Sequence, residues 1–194
     1  MTKSSRLGFL PYPGVRKFTT VYSDKEIFYI QTRKETLKKL HLKIDNLNRM
    51  RSKGHLRYSK YKRYLNKNYN HLDNQIDDMH NKTICMLTSS FSKIHLPAFE
   101  SQEIGKKLRT KNNRRNLFQL KHYKFKTKLI DKCDLYKDVD VNICTEEYTS
   151  QTCSNCGNLN KKLGSSEIYK CRNCNITIDR DINASRNILI KNEI

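Results

Sequence analysis

The sequence predicts a mixed α/β fold interrupted by a small metal-binding ribbon. The α/β part rests on β-branched and aromatic runs near residues 15–32, 93–99 and 139–143, separated by stretches whose apolar residues recur at three- and four-residue steps. The ribbon rests on two knuckles, Cys153-Ser-Asn-Cys156 and Cys171-Arg-Asn-Cys174. Each pair offers two sulfurs to one ion, and two pairs complete the closed tetrahedral set of a structural zinc. The fourteen residues between Cys156 and Cys171 fall just under the usual ribbon interval. Two disulfides or ordinary buried thiols are the other reading, and the disulfides would need an oxidising compartment.

Composition bounds the class. A chain of 194 residues holds one domain of ordinary size and a small appended one. Its 39 Lys and Arg against 19 Asp and Glu leave a net charge of +20. That excess points to polyanionic partners, with membrane surfaces the weaker alternative. The first residues, Met1 to Pro11, contain no apolar stretch of signal-peptide length, and no segment approaches a membrane span. The expectation is an intracellular, reduced protein, and the single Cys85, Cys133 and Cys144 read as small core residues.

Taken in order, Val15 to Tyr22 and Ile27 to Thr32 flank a polar Ser23-Asp24-Lys25-Glu26 and predict a hairpin. From about Arg33, Leu37, Leu40, Ile44 and Leu47 mark one face of a helix that ends near Lys53-Gly54. A second helix is expected from about Tyr58 to Ser90, with Leu65, Leu72, Ile76, Met79 and Leu87 on one side. The simplest arrangement is an antiparallel pair joined at Gly54. Lys93 to Glu100 reads as a short strand closed by a carboxylate, and Val139, Val141 and Ile143 alternate with polar residues as another.

Two stretches suit nucleic acid. Tyr58 to Tyr69 interleaves cations with rings, a surface able to contact phosphates and stack on bases, or equally a solvated helical face with its tyrosines packed inward. The second stretch, Lys106 to Lys128, holds ten basic residues and no acid: Lys106, Lys107, Arg109, Lys111, Arg114, Arg115, Lys121, Lys124, Lys126 and Lys128. A basic helix of that density marks a phosphate track.

Directly behind the second knuckle stands Asp179-Arg-Asp181-Ile-Asn-Ala-Ser-Arg-Asn-Ile-Leu189, an acidic opening to a helix over 182–191. Here an acid stabilises the helix dipole without any chemistry, or it serves as a metal ligand. This motif, the two knuckles and Tyr148-Thr-Ser-Gln-Thr-Cys153 together resemble the C-terminal signature of the TnpB (OrfB) proteins of insertion sequences. Those are RNA-guided nucleases related to Fanzor proteins and type V CRISPR effectors. The resemblance extends back through Leu96-Pro-Ala-Phe-Glu100 to Pro13-Gly-Val-Arg-Lys-Phe18.

The resemblance implies an α/β, RNase H-like (RuvC) nuclease core over residues 8–147 with a helical insertion at about 33–92. A four-cysteine zinc ribbon over 148–176 and a last acidic motif with its helix over 177–194 complete the expected domain plan. It implies chemistry with Mg2+ or Mn2+ held by three carboxylates, one ion activating water and the other steadying the leaving oxygen. Carried over, Glu100 takes the middle acidic position and Asp181 the last, with Asp179 as the rival. Where the family has Asp-Pro-Gly-Val-Arg, this chain reads Tyr12-Pro13-Gly14-Val15-Arg16. A phenol, with an ordinary pKa near ~10, is neutral at working pH and a poor magnesium ligand. Family members also carry an N-terminal portion that engages guide RNA and DNA, so the resemblance implies an N-terminally truncated chain. The expected function is therefore a transposon-associated DNA-binding remnant of an RNA-guided endonuclease, catalytically impaired at Tyr12, with DNA and a guide RNA as partners. An active metal-dependent nuclease and a non-catalytic zinc protein that binds nucleic acid are the alternatives.

Overall fold

A computed structural model describes residues 7–9, 17–23, 26–32, 34–98, 105–106, 108, 110–136, 138–145, 147–161, 163–164 and 166–193. They divide into two compact units, Met1–Ile30 with Thr83–Ile194, and Gln31–Lys82.

The first unit is built on a five-stranded sheet of β1 (Leu7–Phe9), β2 (Thr19–Tyr22), β3 (Ile27–Ile30), β4 (Lys93–Pro97) and β5 (Asp140–Cys144), in spatial order β3-β2-β1-β4-β5. The expected hairpin is present but shorter, with β2 and β3 antiparallel and Thr20 opposite Tyr29. β4 joins β1 and β5 in parallel, Ile94 facing Val141 in register. Successive β2 residues Thr19, Thr20 and Val21 are all buried, so both faces of the sheet are covered there. The outer strand β3 alternates exposed and half-buried residues, as an edge does.

A parallel link from β4 to β5 needs a crossover, and the basic stretch supplies it. It folds as two helices, α3 (Lys111–Gln119) and α4 (His122–Leu135), rather than the one basic helix expected. The break falls at Lys121, whose φ of 48° is left-handed and cannot continue a right-handed helix. Thr110 caps α3 by accepting from the Asn113 amide at 3.2 Å. α4 buries His122, Phe125, Leu129 and Cys133, and Phe18 stacks on His122 and meets Phe125 edge-on at 5.0 Å. Full burial of a side chain such as Leu129 contributes about 1.5–3 kcal/mol. Cys133 and Cys144 are the small core residues expected, whereas Cys85 is exposed because it lies on the outer side of its helix.

The second unit holds α1 (Lys34–Ser52) and the first part of α2 (Tyr58–Ser90). They run antiparallel: Tyr61 donates to Asn48 at 2.9 Å beside the turn, and Leu40, Ile44, Leu72 and Ile76 form the buried seam. Gly54 makes the turn, its φ of 74° allowing its own amide to reach the Arg51 carbonyl and the His55 amide the Met50 carbonyl. Of the tyrosines in 58–69, Tyr58, Tyr64 and Tyr69 are exposed and Tyr61 is held against α1. Among the described residues no helix is long and apolar enough to cross a membrane.

Candidate metal centre and acidic pair

The two knuckles have matching backbones. In each, the residue after the second cysteine is left-handed, Gly157 with φ 73° and Asn175 with φ 57°. Glycine lacks the Cβ that resists this region, and asparagine tolerates it. The first knuckle closes with the Gly157 amide donating to the Cys153 carbonyl and the Cys153 amide to that of Asn158, both at 2.9 Å. In the second, the Cys171 amide donates to the Ile176 carbonyl at 3.0 Å. β6 (Ile168–Lys170) and β7 (Thr177–Asp179) pair antiparallel around the second knuckle.

This brings the sulfurs of Cys153, Cys156, Cys171 and Cys174 within 4.8 Å of one another. Cys153 lies 3.6 Å from Cys174, and Cys156 the same distance from Cys171. Tetrahedral thiolates at ~2.3 Å from an ion stand about 3.8 Å apart, so the donor set fits one metal ion with little adjustment. The electrostatics are already divided between the ligands. Burial pushes the Cys153 thiol up to about 11. Cys174, with the Asn155 side chain and then the Ile176 amide donating to it, is brought down to about 6. The Cys174 amide lowers Cys171 as well. Tyr169 is fully buried beneath the cluster, its hydroxyl aimed at the Gln151 and Asn158 carbonyls at 3.2 and 3.3 Å. Burial, reinforced by the neighbouring thiolates, raises its phenol to about 12.

β7 runs without a loop into α5 (Arg180–Glu193). Asp179 is the cap of that helix, its Oδ1 accepting from the Asp181 amide at 2.8 Å and the Ile182 amide at 3.3 Å. Its other oxygen accepts from Lys17 Nζ at 3.1 Å, and the same ammonium is 3.6 Å from Asp181 Oδ2 and 4.0 Å from the centre of the Tyr29 ring. Asp181 is raised above the usual carboxylate range by burial and by the charge of Asp179, against the pull of Lys17. Burial would lower Lys17, but its bond to Asp179 and the two carboxylate charges outweigh that and raise it. Burial followed by the Asp179 charge raises Tyr29.

The structure thus gathers the four cysteines and sets Asp181 beside Asp179. Tyr12, Glu100, Lys107 and Arg109 lie outside the described residues. Of the basic track, Lys106, Lys111, Arg114 and Lys124 are exposed, and Arg115, Lys121, Lys126 and Lys128 are half-buried. Arg114 donates to the Gly105 and Leu108 carbonyls at 3.1 and 3.3 Å, so it ties a loop. Among the described residues the acidic pair would offer a magnesium or manganese ion two carboxylates, both already engaged. Such ions take several oxygen ligands, whereas Asp179 caps a helix and both acids face an ammonium.

Comparison with known proteins agrees with this geometry. The family model described as "Cas12f1-like, TNB domain" matches residues 122–188, which include the cysteine cluster and most of α5. A TnpB-like protein of Acanthamoeba polyphaga mimivirus is 37% identical over 187 residues, covering 91% of this chain and 36% of that protein. The chain belongs to the TnpB-like family. A putative transposase of Paramecium bursaria Chlorella virus 1 is 38% identical over 115 residues, 59% of this chain and 26% of that protein. Among solved structures, Cas12f1 in a complex with sgRNA and target DNA superposes with a TM-score of 0.61 at 17% identity, covering 97% of this chain and 50% of that one. The sheet order, its parallel crossover and the cysteine cluster fit the RNase H-like (RuvC) class. As a TnpB-like protein the chain is transposon-associated and related to RNA-guided nucleases, and it spans about a third of the mimivirus relative's length.

Sequence reasoning grouped the four cysteines, as the structure does, and passed over Lys17, Tyr169, Asn183 and Asn187. A signal existed for the asparagines: at an i, i+4 spacing they share one helix face. Nothing local marks Lys17, which meets an Asp179 that stands 162 positions further along the chain.

Proposed function

We propose that this chain is a DNA-binding protein of transposon origin, related to RNA-guided DNA endonucleases and impaired in catalysis. The carrying observation is the Lys17 ammonium between the Asp179 and Asp181 carboxylates. A tethered cation at the last acidic motif satisfies charge that would otherwise attract a metal ion, and Tyr12 stands at the aligned first acid. The chain's +20 charge and its 106–128 track support binding to nucleic acid. In the second unit, Lys43, Arg63, Lys67 and His71 line one groove between α1 and α2, a further surface for phosphates. The four-cysteine cluster holds zinc in a structural role, since all four tetrahedral positions are filled by protein.

Binding is tested by titrating a labelled DNA duplex and an RNA hairpin with the purified chain at several salt concentrations. The expected logarithm of affinity falls linearly with the logarithm of salt, with a slope that identifies several phosphate contacts. A flat salt response would remove the phosphate-track reading. Tyr12→Asp, assayed beside the wild type, separates loss of the first acid from the effect of Lys17.

A further inference from the structure

We infer that Asn183 and Asn187 are positioning residues that couple the cysteine cluster to the acidic pair, so that metal loading at one end of the motif fixes Asp181 at the other. Both lie in the interior of α5, where asparagine is a poor helix former because its side chain competes for backbone bonds. Both are also withdrawn from water, at 0% and 9% exposure. A buried amide persists when its hydrogen bonds are made, and these are made across the fold. Asn183 accepts from the Ser154 amide at 3.0 Å and donates to the Thr152 carbonyl at 2.7 Å. Asn187 donates to the Thr152 carbonyl at 2.6 Å and to that of Thr149 at 2.7 Å.

Thr152 and Ser154 are the residues on either side of Cys153. One helix therefore grips the backbone on both flanks of a metal ligand, and does so two residues beyond Asp181. On the ribbon side that backbone is tied within its own knuckle, by the Thr152 amide on the Tyr148 carbonyl, the Cys153 amide on that of Asn158 and the Tyr169 hydroxyl at Gln151, but the ribbon has little core beneath it. Its buried cluster is Cys153, Tyr169 and Cys171, with Leu163, Cys174, Ile176 and Ile178 around it. A core this small cannot fold alone and depends on its ion. Without metal the backbone groups of Thr149, Thr152 and Ser154 lose their fixed positions, and the first turns of α5 lose their partners. The far end of α5 has separate support, because Ile188 packs on Cys144 and Tyr22 of the sheet. Loosening is thus expected at 181–187 and not at 188–192. Linkage makes the coupling reciprocal: whatever the ion does for the helix, the helix does for ion affinity by the same factor.

The experiment uses the full chain. Hydrogen exchange followed by mass spectrometry compares Zn2+-loaded and chelated wild type, and Co2+ titration, read by thiolate-to-metal absorption, compares wild type with Asn183→Ala, Asn187→Ala and the double variant. Chelation is expected to speed exchange in 181–187 together with 150–176 while 188–192 stays protected. The double variant is expected to lose about 10- to 100-fold in Co2+ affinity, the usual size of such coupling. Faster exchange in 150–176 with 181–187 unchanged would overturn the inference, as would wild-type Co2+ affinity in the double variant. The chelation arm needs no substitution, so the inference stays testable if the double variant fails to fold.

Discussion

Replacing Lys17 by methionine keeps most of the side-chain volume and removes the charge that sits between Asp179 and Asp181. At 3.1 Å and an effective dielectric of about 20, the larger of the two attractions has a ceiling of about 5 kcal/mol. The net value is far smaller, because the Lys17 and Asp179 side chains keep 30% of their exposure and Asp181 keeps 41%. Exposed pairs are worth about 0.2–1 kcal/mol and charge-assisted bonds about 1.5–3, so a partly buried ammonium shared by two acids should contribute about 1.5 kcal/mol. For a chain of this length that corresponds to a melting temperature lower by roughly 3–6 °C. Urea and thermal unfolding at low salt measure it, and molar salt should shrink the difference to less than half by screening. A loss below about 0.3 kcal/mol, or one indifferent to salt, would refute the electrostatic role and leave only packing on Tyr29. The freed carboxylates repel one another, so added Mn2+ should stabilise Lys17→Met more than it stabilises the wild type.

Metal loading of the cysteine cluster displaces thiol protons, so affinity rises with pH. Cys153, pushed up to about 11, supplies one proton throughout the neutral range, while Cys174, brought down to about 6, supplies one only below that value. Affinity in Co2+ titrations should therefore rise with pH from about 5 to about 8, and a pH-independent affinity would contradict thiolate ligation. Tyr169→Phe removes one shared proton from two carbonyls while keeping the ring, and should cost about 1 kcal/mol of metal-loaded stability, read by chelator-free thermal unfolding. No change would mean that water replaces the hydroxyl.

What the sequence revealed was whatever is written locally. The bounds of α2, 58–90, are legible because its apolar side recurs over many turns with no Gly or Pro inside. The cysteine cluster is legible because each knuckle carries its own spacing, and the two need only meet. The split of the basic stretch into α3 and α4 was not, since Lys121 in a left-handed conformation is set by how the Phe125 and Leu117 sides bury, and lysine does not announce it. Asp181 drew attention as an acid at a helix start, yet Asp179 is the cap, because β7 ends there and turns its carboxylate back over the first amides. The Lys17 and Asn187 partnerships join residues far apart in the chain, and no pattern shorter than the fold itself encodes them.

The most direct test is cleavage of linear and supercoiled DNA by the purified chain in Mg2+ and in Mn2+, beside an Asp181→Ala control. With an ammonium on the acidic pair and a phenol at residue 12, wild type and control should be indistinguishable. Metal-dependent cutting by the wild type that disappears in Asp181→Ala would contradict the account.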